Sequence, residues 1–386
     1  MANILFLESG TQTLAVLRPL AKDGNKIFII ASEKGNYADM SRYVCKVYYN
    51  KEHIESKEYW NLLVKVVKEN SIDTVIPSGD IAAEFVSKHL GELSKLVYIK
   101  APTYDIFLKG YDKNKLMAIC RAKGYPHPIT IDMSETSLND SDTFQKFPYP
   151  GILKPNCTTG GRGMSIINNY EELKRIYPKT KEQFGECHFQ RFVKEGGHQV
   201  KVQLYVDEKG NLVNYSVLDK VRWYPVKGGS SCCAISIENP EMVDICHNIL
   251  KEIHWVGFAD FDTIEDADTH ELLIMEINPR IPACIGAALK AGINWGQIIV
   301  DANLGNEQQT YKYETGHVLR HLGFDVLWFL KSPKRFKAKP SWFHFFGHKI
   351  SYQDFALCDM KPFIVGTYHN VKKLFDPNFK KSKQGA

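Results

Sequence analysis

The first hundred residues alternate between short apolar runs and amphipathic segments, and this alternation constrains the fold more than any other feature. The apolar runs are rich in β-branched residues and end in Ser, Gly or Pro, as strands do, whereas the segments between them have helical spacing. The predicted strands are NILFLES, KIFIIAS, CKVYYN, TVIPSG and YIKAP, and the predicted helices are TLAVLRPLAKDG, YWNLLVKVVKEN and IAAEFVSKHLGELSK. This pattern favours a doubly wound parallel α/β sheet.

Small and polar residues follow three of these predicted strands. The strand ends read Glu8-Ser9-Gly10, Ala31-Ser32 and Pro77-Ser78-Gly79-Asp80. Doubly wound sheets bind ligands outside the carboxyl ends of their strands. The same residue types also form ordinary turns, so a ligand cleft and simple turns stand as equal alternatives at these positions.

Composition indicates a globular protein and excludes several function classes. The 386 residues are 44% apolar, and the net charge of +5 is too small and too scattered for a nucleic-acid-binding surface. The nine cysteines contain no C-x-x-C pair, which favours free thiols in a reducing cytoplasm. The N-terminus lacks the pattern of a signal peptide, and no run reaches the roughly 20 apolar residues of a membrane span, so we expect a cytoplasmic location.

A glycine-rich loop lies between two predicted strands in the middle of the chain. The segment KPNCTTGGRGM, residues 154–164, follows the strand PGILKP and precedes the strand MSIINN. Dense glycines let backbone N–H groups approach an anion, and the lysine supplies a countercharge. Because a strand rather than a helix follows, the segment is neither a P-loop nor a dinucleotide-binding turn. We expect a hairpin flap that covers a phosphate group.

Other segments of the middle region predict an α+β arrangement around this flap. A helix in YDKNKLMAICRAKG precedes the strand ITIDM, and the strands HFQRFV and QVKVQLYVDEKGNLVNYSVLDKV follow the flap. A second small-residue loop is predicted in KGGSSCCA, residues 227–234, before the helix PEMVDICHNILKEI. This loop and the segment IPACIGAALKAGINW are candidate walls of a substrate pocket.

Two acidic segments, FADFDT and LLIMEINPR, predict a metal site. Residues two apart on a strand share a face, so Asp260 pairs with Asp262, and Glu276 pairs with Asn278. The turn EDADTH between the segments makes a hairpin that brings the two pairs together. Carboxylate and carbonyl oxygens are ligands that Mg²⁺ accepts. A single acid at a hairpin mouth is usually solvated, but Glu276 follows the apolar run LLIM, where an unneutralised charge is costly.

Taken in chain order, these motifs resemble those of the ATP-grasp superfamily, in its carboxylate–amine ligase branch with D-alanine–D-alanine ligase and the carbamoyl-phosphate-synthase-like proteins. The motifs are KPNCTTGGRGM, QRFV, DKVRW and EINPR, and the resemblance covers residues 1 to about 310. It implies an N-terminal α/β domain (1–107), a small ATP-grasp subdomain with the flap (108–188) and a large subdomain with a magnesium site (189–310). A C-terminal aromatic and basic extension (311–386) follows.

The resemblance also implies the residues of an ATP and metal site. Lys113 and Lys154 would contact the α- and β-phosphates. The flap residues would be Thr158, Thr159, Gly160, Gly161, Gly163 and Met164; Gln190, Arg191, Phe192 and Val193 would hold adenine, and Gln199, or else His198, would contact the ribose. Asp262, Glu276 and Asn278 match magnesium ligands, with Mn²⁺ a compatible substitute. Arg280, Lys220 and Arg222 would neutralise the transferring phosphoryl group.

The activity that the resemblance implies is an ADP-forming ligation. A substrate carboxylate would attack the γ-phosphate of ATP to give an acyl phosphate, and an amine would then displace phosphate. We expect an amino acid to be joined to a small-molecule or cell-envelope precursor, with ATP and Mg²⁺ as cofactors and a homodimer as the default assembly. Two alternatives stay open: another ATP-grasp chemistry, such as carboxyphosphate formation or phosphorylation of a hydroxyl, and a non-catalytic ATP-binding protein.

The C-terminal extension has a composition unlike the rest of the chain. Residues 331–349 interleave basic with aromatic side chains, namely Lys334, Arg335, Lys337 and Lys339 with Trp342, Phe343, Phe345 and Phe346. This composition is compatible with a weak peripheral contact with an anionic membrane surface. Such aromatic residues more often pack onto the protein itself, so both interpretations stay open.

Overall fold

The computed structural model describes residues 1–158, 161–194, 196–226, 229–309 and 311–375. The strands in these ranges are β1 (Asn3–Leu7), β2 (Lys26–Ala31), β3 (Val44–Tyr49), β4 (Thr74–Pro77), β5 (Thr130–Asp132), β6 (Gly151–Pro155), β7 (Ser165–Ile167), β8 (Cys187–Arg191), β9 (Gln199–Val206), β10 (Leu212–Tyr224), β11 (Ser230–Ile237), β12 (Gly257–Glu265), β13 (Leu272–Asn278), β14 (Val318–Arg320) and β15 (Ile350–Tyr352). The helices are α1 (Thr11–Lys22), α2 (Lys57–Glu69), α3 (Asp80–Lys88), α4 (Leu90–Leu93), α5 (Tyr104–Tyr111), α6 (Lys113–Lys123), α7 (Ser141–Gln145), α8 (Tyr170–Phe184), α9 (Pro240–Glu252), α10 (Gly286–Lys290), α11 (Trp295–Leu304), α12 (Leu322–Lys331) and α13 (Lys361–Phe375). Within these ranges, none of the helices combines the length and the apolar character needed to cross a membrane.

The chain divides into two compact units. The first unit comprises Met1–Phe107, Lys201–Asp260 and Asn278–Val371, and the second comprises mainly Leu108–Val200 and Phe261–Ile277. Residues 189–310, which the sequence predicts as one subdomain, therefore contribute to both units. Residues 311–371 lie in the first unit together with the N-terminal segment.

The N-terminal part of the first unit contains the predicted parallel sheet. Its strand order is β3-β2-β1-β4, with Ile4 opposite Ile27 on β2 and Thr74 on β4. Both faces of β1 are buried in apolar clusters, which explains the continuous apolar run NILFL. The segment YIKAP is wrongly predicted as a strand, since it makes only one bridge, from Tyr98 to Thr74. Two residues further on, the backbone N–H of Lys100 donates a hydrogen bond to a side chain, so the pairing with β4 does not continue.

The second unit contains a four-stranded sheet in the order β5-β8-β6-β7. Strands β6 and β7 are antiparallel, with Gly151 opposite Ile167 and Leu153 opposite Ser165, so the predicted hairpin around the glycine-rich loop is confirmed. Helix α8 begins after Asn169, whose side chain accepts a hydrogen bond from a backbone N–H of the first turn. The helix packs its apolar face on the sheet and so fixes the two strands that carry the loop.

A larger sheet has the strand order β13-β12-β9-β10-β11-β14-β15. The predicted small-residue loop at 227–234 is in part a strand, because Ser230 to Ala234 belong to β11 and pair with β10. Cys232, Cys233 and Ala234 are buried there, so small side chains serve packing at these positions. The C-terminal segment adds two further strands: β14 is antiparallel to β11 and β15 is parallel to β14.

Candidate active site

Lys154 is a buried cation at the end of β6 in the second unit. It is 7% exposed, and its Nζ donates a hydrogen bond to Gln190 Oε1 on β8 (2.7 Å). Loss of solvation lowers the pKa of Lys154 to about 8, while the charge of Glu276 opposes this shift and that of Lys113 adds to it. A lysine held in this way is suited to the anion-binding role predicted for it.

Lys113 links the glycine-rich loop to the acidic strand. Helix α6 begins at Lys113, directly after Asp112, whose carboxylate caps the helix. The Lys113 Nζ donates a hydrogen bond to Thr158 O (2.8 Å) and lies 3.2 Å from Glu276 Oε2. The fold of the second unit therefore brings Lys113, Lys154 and Glu276 into one cluster, although they come from three separate segments of the sequence.

His188 belongs to this cluster, and the sequence did not identify it. It lies opposite Lys154 in the β6–β8 register, is 1% exposed, and places Nδ1 2.9 Å from Asn156 Oδ1. Burial, followed by the positive charges of Lys154 and Lys113, holds the pKa of His188 well below its usual value, so the ring is neutral. The alternation in HFQRFV was the available signal, because it places His188 on the same face as Gln190.

The described part of the flap has the backbone geometry that its glycines allow. Gly161 and Gly163 have φ values of 75° and 74°, in the left-handed region. A Cβ at Gly163 would lie 2.7 Å from the Phe184 ring, so this position also needs the absence of a side chain. Thr158 Oγ1 donates a hydrogen bond to a backbone oxygen across the loop. Met164 ends the loop, and two predicted flap residues, Thr159 and Gly160, lie outside the described residues.

The predicted adenine hinge connects β8 with the segment that leads to β9. Gln190 is buried and its side chain is bound to Lys154, whereas Arg191 pairs with the buried Asp266 (2.5 Å), and Val193 is buried. Phe192 is partly exposed and donates its backbone N–H to a neighbouring carbonyl (3.0 Å); Gln199 is partly exposed at the start of β9, and His198 is exposed. Their contacts with a nucleotide remain proposals.

The predicted metal ligands occupy two strands that are neighbours in the larger sheet. Asp262 on β12 and Glu276 on β13 are partly exposed in the second unit. Asn278 is in the first unit, where its Nδ2 lies 3.3 Å from Asp260 Oδ2, and Asp260 pairs with Lys201 (2.6 Å). Across the described ranges there is no group of three His, Cys, Asp or Glu side chains suited to a metal. The two carboxylates of the second unit, Asp262 and Glu276, nevertheless fit the preference of Mg²⁺ for one or two carboxylates.

Arg222 occupies a buried ion-pair network in the first unit, and this placement argues against its predicted catalytic role. Its Nε and Nη2 donate to the carboxylate of Asp325 at 2.7 and 2.9 Å, and Arg320 Nε donates to the same carboxylate at 2.6 Å. The register of β10 shifts between Lys220 and Arg222, so the two residues do not share a face as a regular strand would require. Lys220 is partly exposed and retains its predicted role as a proposal.

Arg280 lies beside two carboxylates in the first unit. Its Nε is 3.1 Å from Asp80 Oδ1 at the start of α3. Glu8, at the end of β1, is near enough that the charges of Arg280 and Asp80 both change its pKa. A Cβ at Gly79 would lie 1.9 Å from Glu8 Oε2, so only glycine allows the carboxylate this position. The structure thus brings together the polar residues that follow two of the predicted strands, at Glu8 and at Asp80, and Arg280 lies beside them.

Replacing Glu8 with glutamine is expected to stabilise the protein at alkaline pH. Burial and the charge of Asp80 raise the pKa of Glu8 from 4.5 to about 7, with Arg280 opposing. The native state therefore holds this proton more tightly than the unfolded chain, and wild-type stability is lost as the pH rises from about 4.5 through about 7. Glu8→Gln should gain up to about 3 kcal/mol at pH 8 and little at pH 4. Denaturation at both pH values, with the exposed Glu92→Gln as control, measures the difference.

The cysteines near the predicted pocket walls are not placed for nucleophilic chemistry. Cys232, Cys233 and Cys284 are all buried. Loss of solvation raises the pKa of Cys233 to about 12, which keeps it as a thiol at neutral pH. Packing is therefore their role in the structure.

Comparison with known proteins places this geometry in a family. Residues 112–291 match the family described as carbamoyl-phosphate synthase L chain, ATP binding domain. The chain is 30% identical to human mitochondrial pyruvate carboxylase over 229 residues, which are 57% of this chain and 19% of that protein. It is 24% identical to D-aspartate ligase of Enterococcus faecium over 269 residues, 64% of this chain and 63% of the ligase. The chain thus spans less than two thirds of the length of either relative.

A solved structure shows the same fold. The biotin carboxylase domain dimer of Hydrogenobacter thermophilus 2-oxoglutarate carboxylase, in complex with MgADP, ADP and bicarbonate, has a TM-score of 0.65 at 18% identity, covering 82% of this chain and 73% of that chain. The predicted fold, a parallel N-terminal sheet followed by the ATP-grasp sheets, is confirmed. With its flap hairpin and its lysine and glutamate cluster, the region 112–291 is an ATP-grasp domain similar to the ATP-binding domain of carbamoyl-phosphate synthase.

Proposed function

We propose that the protein is an ADP-forming ligase that activates a carboxylate as an acyl phosphate and joins it to an amine, with an amino acid as one substrate. The observation that carries the proposal is the cluster of Lys113, Lys154 and Glu276 in the second unit. Two buried cations beside one carboxylate suit the phosphates of ATP and a divalent cation bound to them.

In this proposal the second unit binds the nucleotide. Lys113 and Lys154 contact the α- and β-phosphates, and residues 158–164 cover the β- and γ-phosphates. Residues 190–193 hold adenine, and Gln199 contacts the ribose. The neutral state of His188 supports this arrangement, because an uncharged ring leaves the two lysines as the cations that face the phosphates.

Metal binding and phosphoryl transfer complete the proposed chemistry. Asp262, Glu276 and Asn278 would hold Mg²⁺, which would supply positive charge to neutralise the negative charge that develops during transfer. Arg280 and Lys220 would stabilise the transferring phosphoryl group. The substrate carboxylate is the nucleophile toward the γ-phosphate, so the protein contributes position and electrostatics rather than a covalent nucleophile.

The charges of the first unit support an amine as the second substrate. Glu8 and Asp80 flank Arg280 there, and the raised pKa of Glu8 reflects a half-buried carboxylate beside another negative charge. Arg280 offsets one of these negative charges, so an ammonium group would neutralise the charge that remains when Glu8 is ionised, whereas an anion such as bicarbonate would not. The likeness to D-aspartate ligase supports the same branch of the superfamily.

Incubation of the full chain with ATP, Mg²⁺, hydroxylamine and a panel of carboxylates tests the proposal. Hydroxamate and ADP should form together with at least one carboxylate. Release of AMP would overturn the mechanism. ADP formation that depends on bicarbonate alone would favour carboxyphosphate formation, which the likeness to pyruvate carboxylase makes the second candidate. No turnover with any carboxylate would favour an ATP-binding protein without catalysis.

Glu8→Gln tests the amine site within the same assay. Hydroxylamine is largely uncharged at neutral pH, so hydroxamate formation should persist in this variant. The KM for an ammonium-bearing amine should rise roughly 10-fold or more, because a hydrogen bond to a charged group is lost. The exposed Glu92→Gln should leave both activities unchanged. An unaltered KM in Glu8→Gln would place the amine elsewhere.

A further inference from the structure

The C-terminal part of the first unit exposes a patch of aromatic, aliphatic and basic side chains. Four apolar residues are highly exposed: Leu330 (62%), Phe336 (72%), Phe343 (57%) and Phe346 (88%). Six basic residues accompany them, namely Lys331, Lys334, Arg335, Lys337, Lys339 and Lys349, and residues 331–349 contain no Asp or Glu. We call these ten residues the aromatic-basic patch.

The backbone that carries this patch is fastened to buried groups. Three hydrogen bonds hold it: Arg222 Nη1 to Pro340 O (2.9 Å), Trp342 Nε1 to Asp325 O (3.0 Å) and Arg320 Nη1 to His344 O (3.1 Å). Phe343 lies between two of the anchored residues, and its side chain still faces solvent. The side chains of the patch are therefore exposed although the segment that carries them is held in place by hydrogen bonds.

Two of the exposed rings, those of Phe336 and Phe343, form a contiguous apolar surface with Phe329. Phe336 and Phe343 are stacked, with ring centroids 6.3 Å apart, and each has its centroid 5.6 Å from that of Phe329. Scattered apolar residues on a protein surface need no explanation, whereas a contiguous exposed cluster marks a surface that contacts another body.

The charges around the rings specify an anionic partner. Lys331, Lys334, Lys337 and Lys339 are exposed, and for the residues that the structure describes no ion pair involves any of the four. A two-fold contact of this patch with a second copy of the chain would bring like charges together. An anionic bilayer complements both parts of the patch, because its headgroups attract lysines and its interface accepts aromatic rings.

We propose that the aromatic-basic patch is a peripheral membrane-binding surface that takes a bilayer containing anionic lipids. Phe343 and Phe346 enter the interfacial region, while the lysines contact the headgroups. This binding is independent of the proposed ligase chemistry, since the patch contains no residue assigned to nucleotide, metal or substrate. It would hold the full chain at a lipid surface through contacts in the interfacial region.

Vesicle flotation with the full chain tests the proposal. The probes are phosphatidylcholine vesicles with and without phosphatidylserine. The wild type should bind the phosphatidylserine vesicles at least about 10-fold more strongly, and the double variant Phe343→Ser/Phe346→Ser should lose roughly 10-fold or more of this binding. Lys334→Gln/Lys337→Gln should lose a similar amount, since each lysine near the surface contributes to attraction.

Matched controls separate this surface from general charge and exposure effects. Lys65→Gln/Lys68→Gln removes two exposed charges from α2, and Tyr98→Ser removes a ring that is 63% exposed; both should bind as the wild type does. Equal thermal melting of all variants checks their folding. No binding to phosphatidylserine vesicles would overturn the proposal, as would binding that the lysine variants reduce but the phenylalanine variants do not. A dimer that dissociates in Phe343→Ser/Phe346→Ser, without vesicle binding, would instead make the patch a contact between copies.

Discussion

Replacing Glu276 with glutamine is expected to abolish ADP formation while nucleotide binding persists. Glu276 lies beside Lys113 and next to the strand that carries Asp262, and its carboxylate is one of the two in the second unit that we propose as Mg²⁺ ligands. Loss of this charge should reduce turnover by about 100-fold or more, the order of effect seen when one electrostatic contact to a transition state is removed. ADP release and ATP affinity, each measured with and without Mg²⁺, check the prediction.

The magnesium dependence of ATP affinity separates a lost ligand from a lost fold. In Glu276→Gln, added Mg²⁺ should no longer strengthen ATP binding, whereas ATP alone should bind as it does to the wild type, because Lys113 and Lys154 remain. Glu271→Gln, the same chemical change at an exposed position just before β13, is the matched control and should behave as the wild type. Retained turnover in Glu276→Gln would show that the metal is held by other residues.

Of these substitutions, Asp325→Asn should lower the free energy of unfolding the most. This carboxylate is fully buried and neutralises both Arg222 and Arg320, at 2.7 and 2.6 Å. Without it, two buried guanidinium groups lack a counterion, which should lower the free energy of unfolding by about 3–5 kcal/mol. Chemical denaturation followed by tryptophan fluorescence measures this change.

An exposed ion pair supplies the control for Asp325→Asn. Asp142 pairs with Lys146 at 2.7 Å, but both side chains are more than 70% exposed. Asp142→Asn should therefore change the free energy of unfolding by about 1 kcal/mol at most. If Asp325→Asn and Asp142→Asn lowered the free energy of unfolding by similar amounts, the Arg222–Asp325–Arg320 network would not be a main contributor to the stability of the first unit.

Local patterns allowed the flap and the parallel sheet to be predicted from the sequence. The hairpin of β6 and β7 is encoded by two apolar runs that flank glycines, and the N-terminal strands and helices are encoded by alternation over a few residues. The cluster of Lys113, Lys154 and Glu276 needed more, because only the order of motifs along the whole chain, and the resemblance it carries, connected these distant positions.

Long-range pairing explains what sequence reasoning missed. Arg222 was predicted to neutralise the transferring phosphoryl group, because nothing nearby in the sequence shows its partner Asp325, which lies in a helix about a hundred residues further on. The bulge on β10 has no local signal, and Cys232 and Cys233 read as loop residues until their pairing with β10 is known. His188 and Glu8 gain their unusual pKa values only from neighbours that the fold supplies.

The pairing of β14 with β11, and of β15 with β14, shows that the boundary of the family match is not the boundary of the compact unit. The family match ends at residue 291, yet the compact first unit continues to Val371. A fragment that ended at residue 291 would lack β14, so the backbone edge of β11 would be exposed and could pair with other chains. The fragment would also lack Asp325, the counterion of the buried Arg222. The family match thus marks a region of similar sequence, whereas the compact unit also includes a C-terminal segment outside that match.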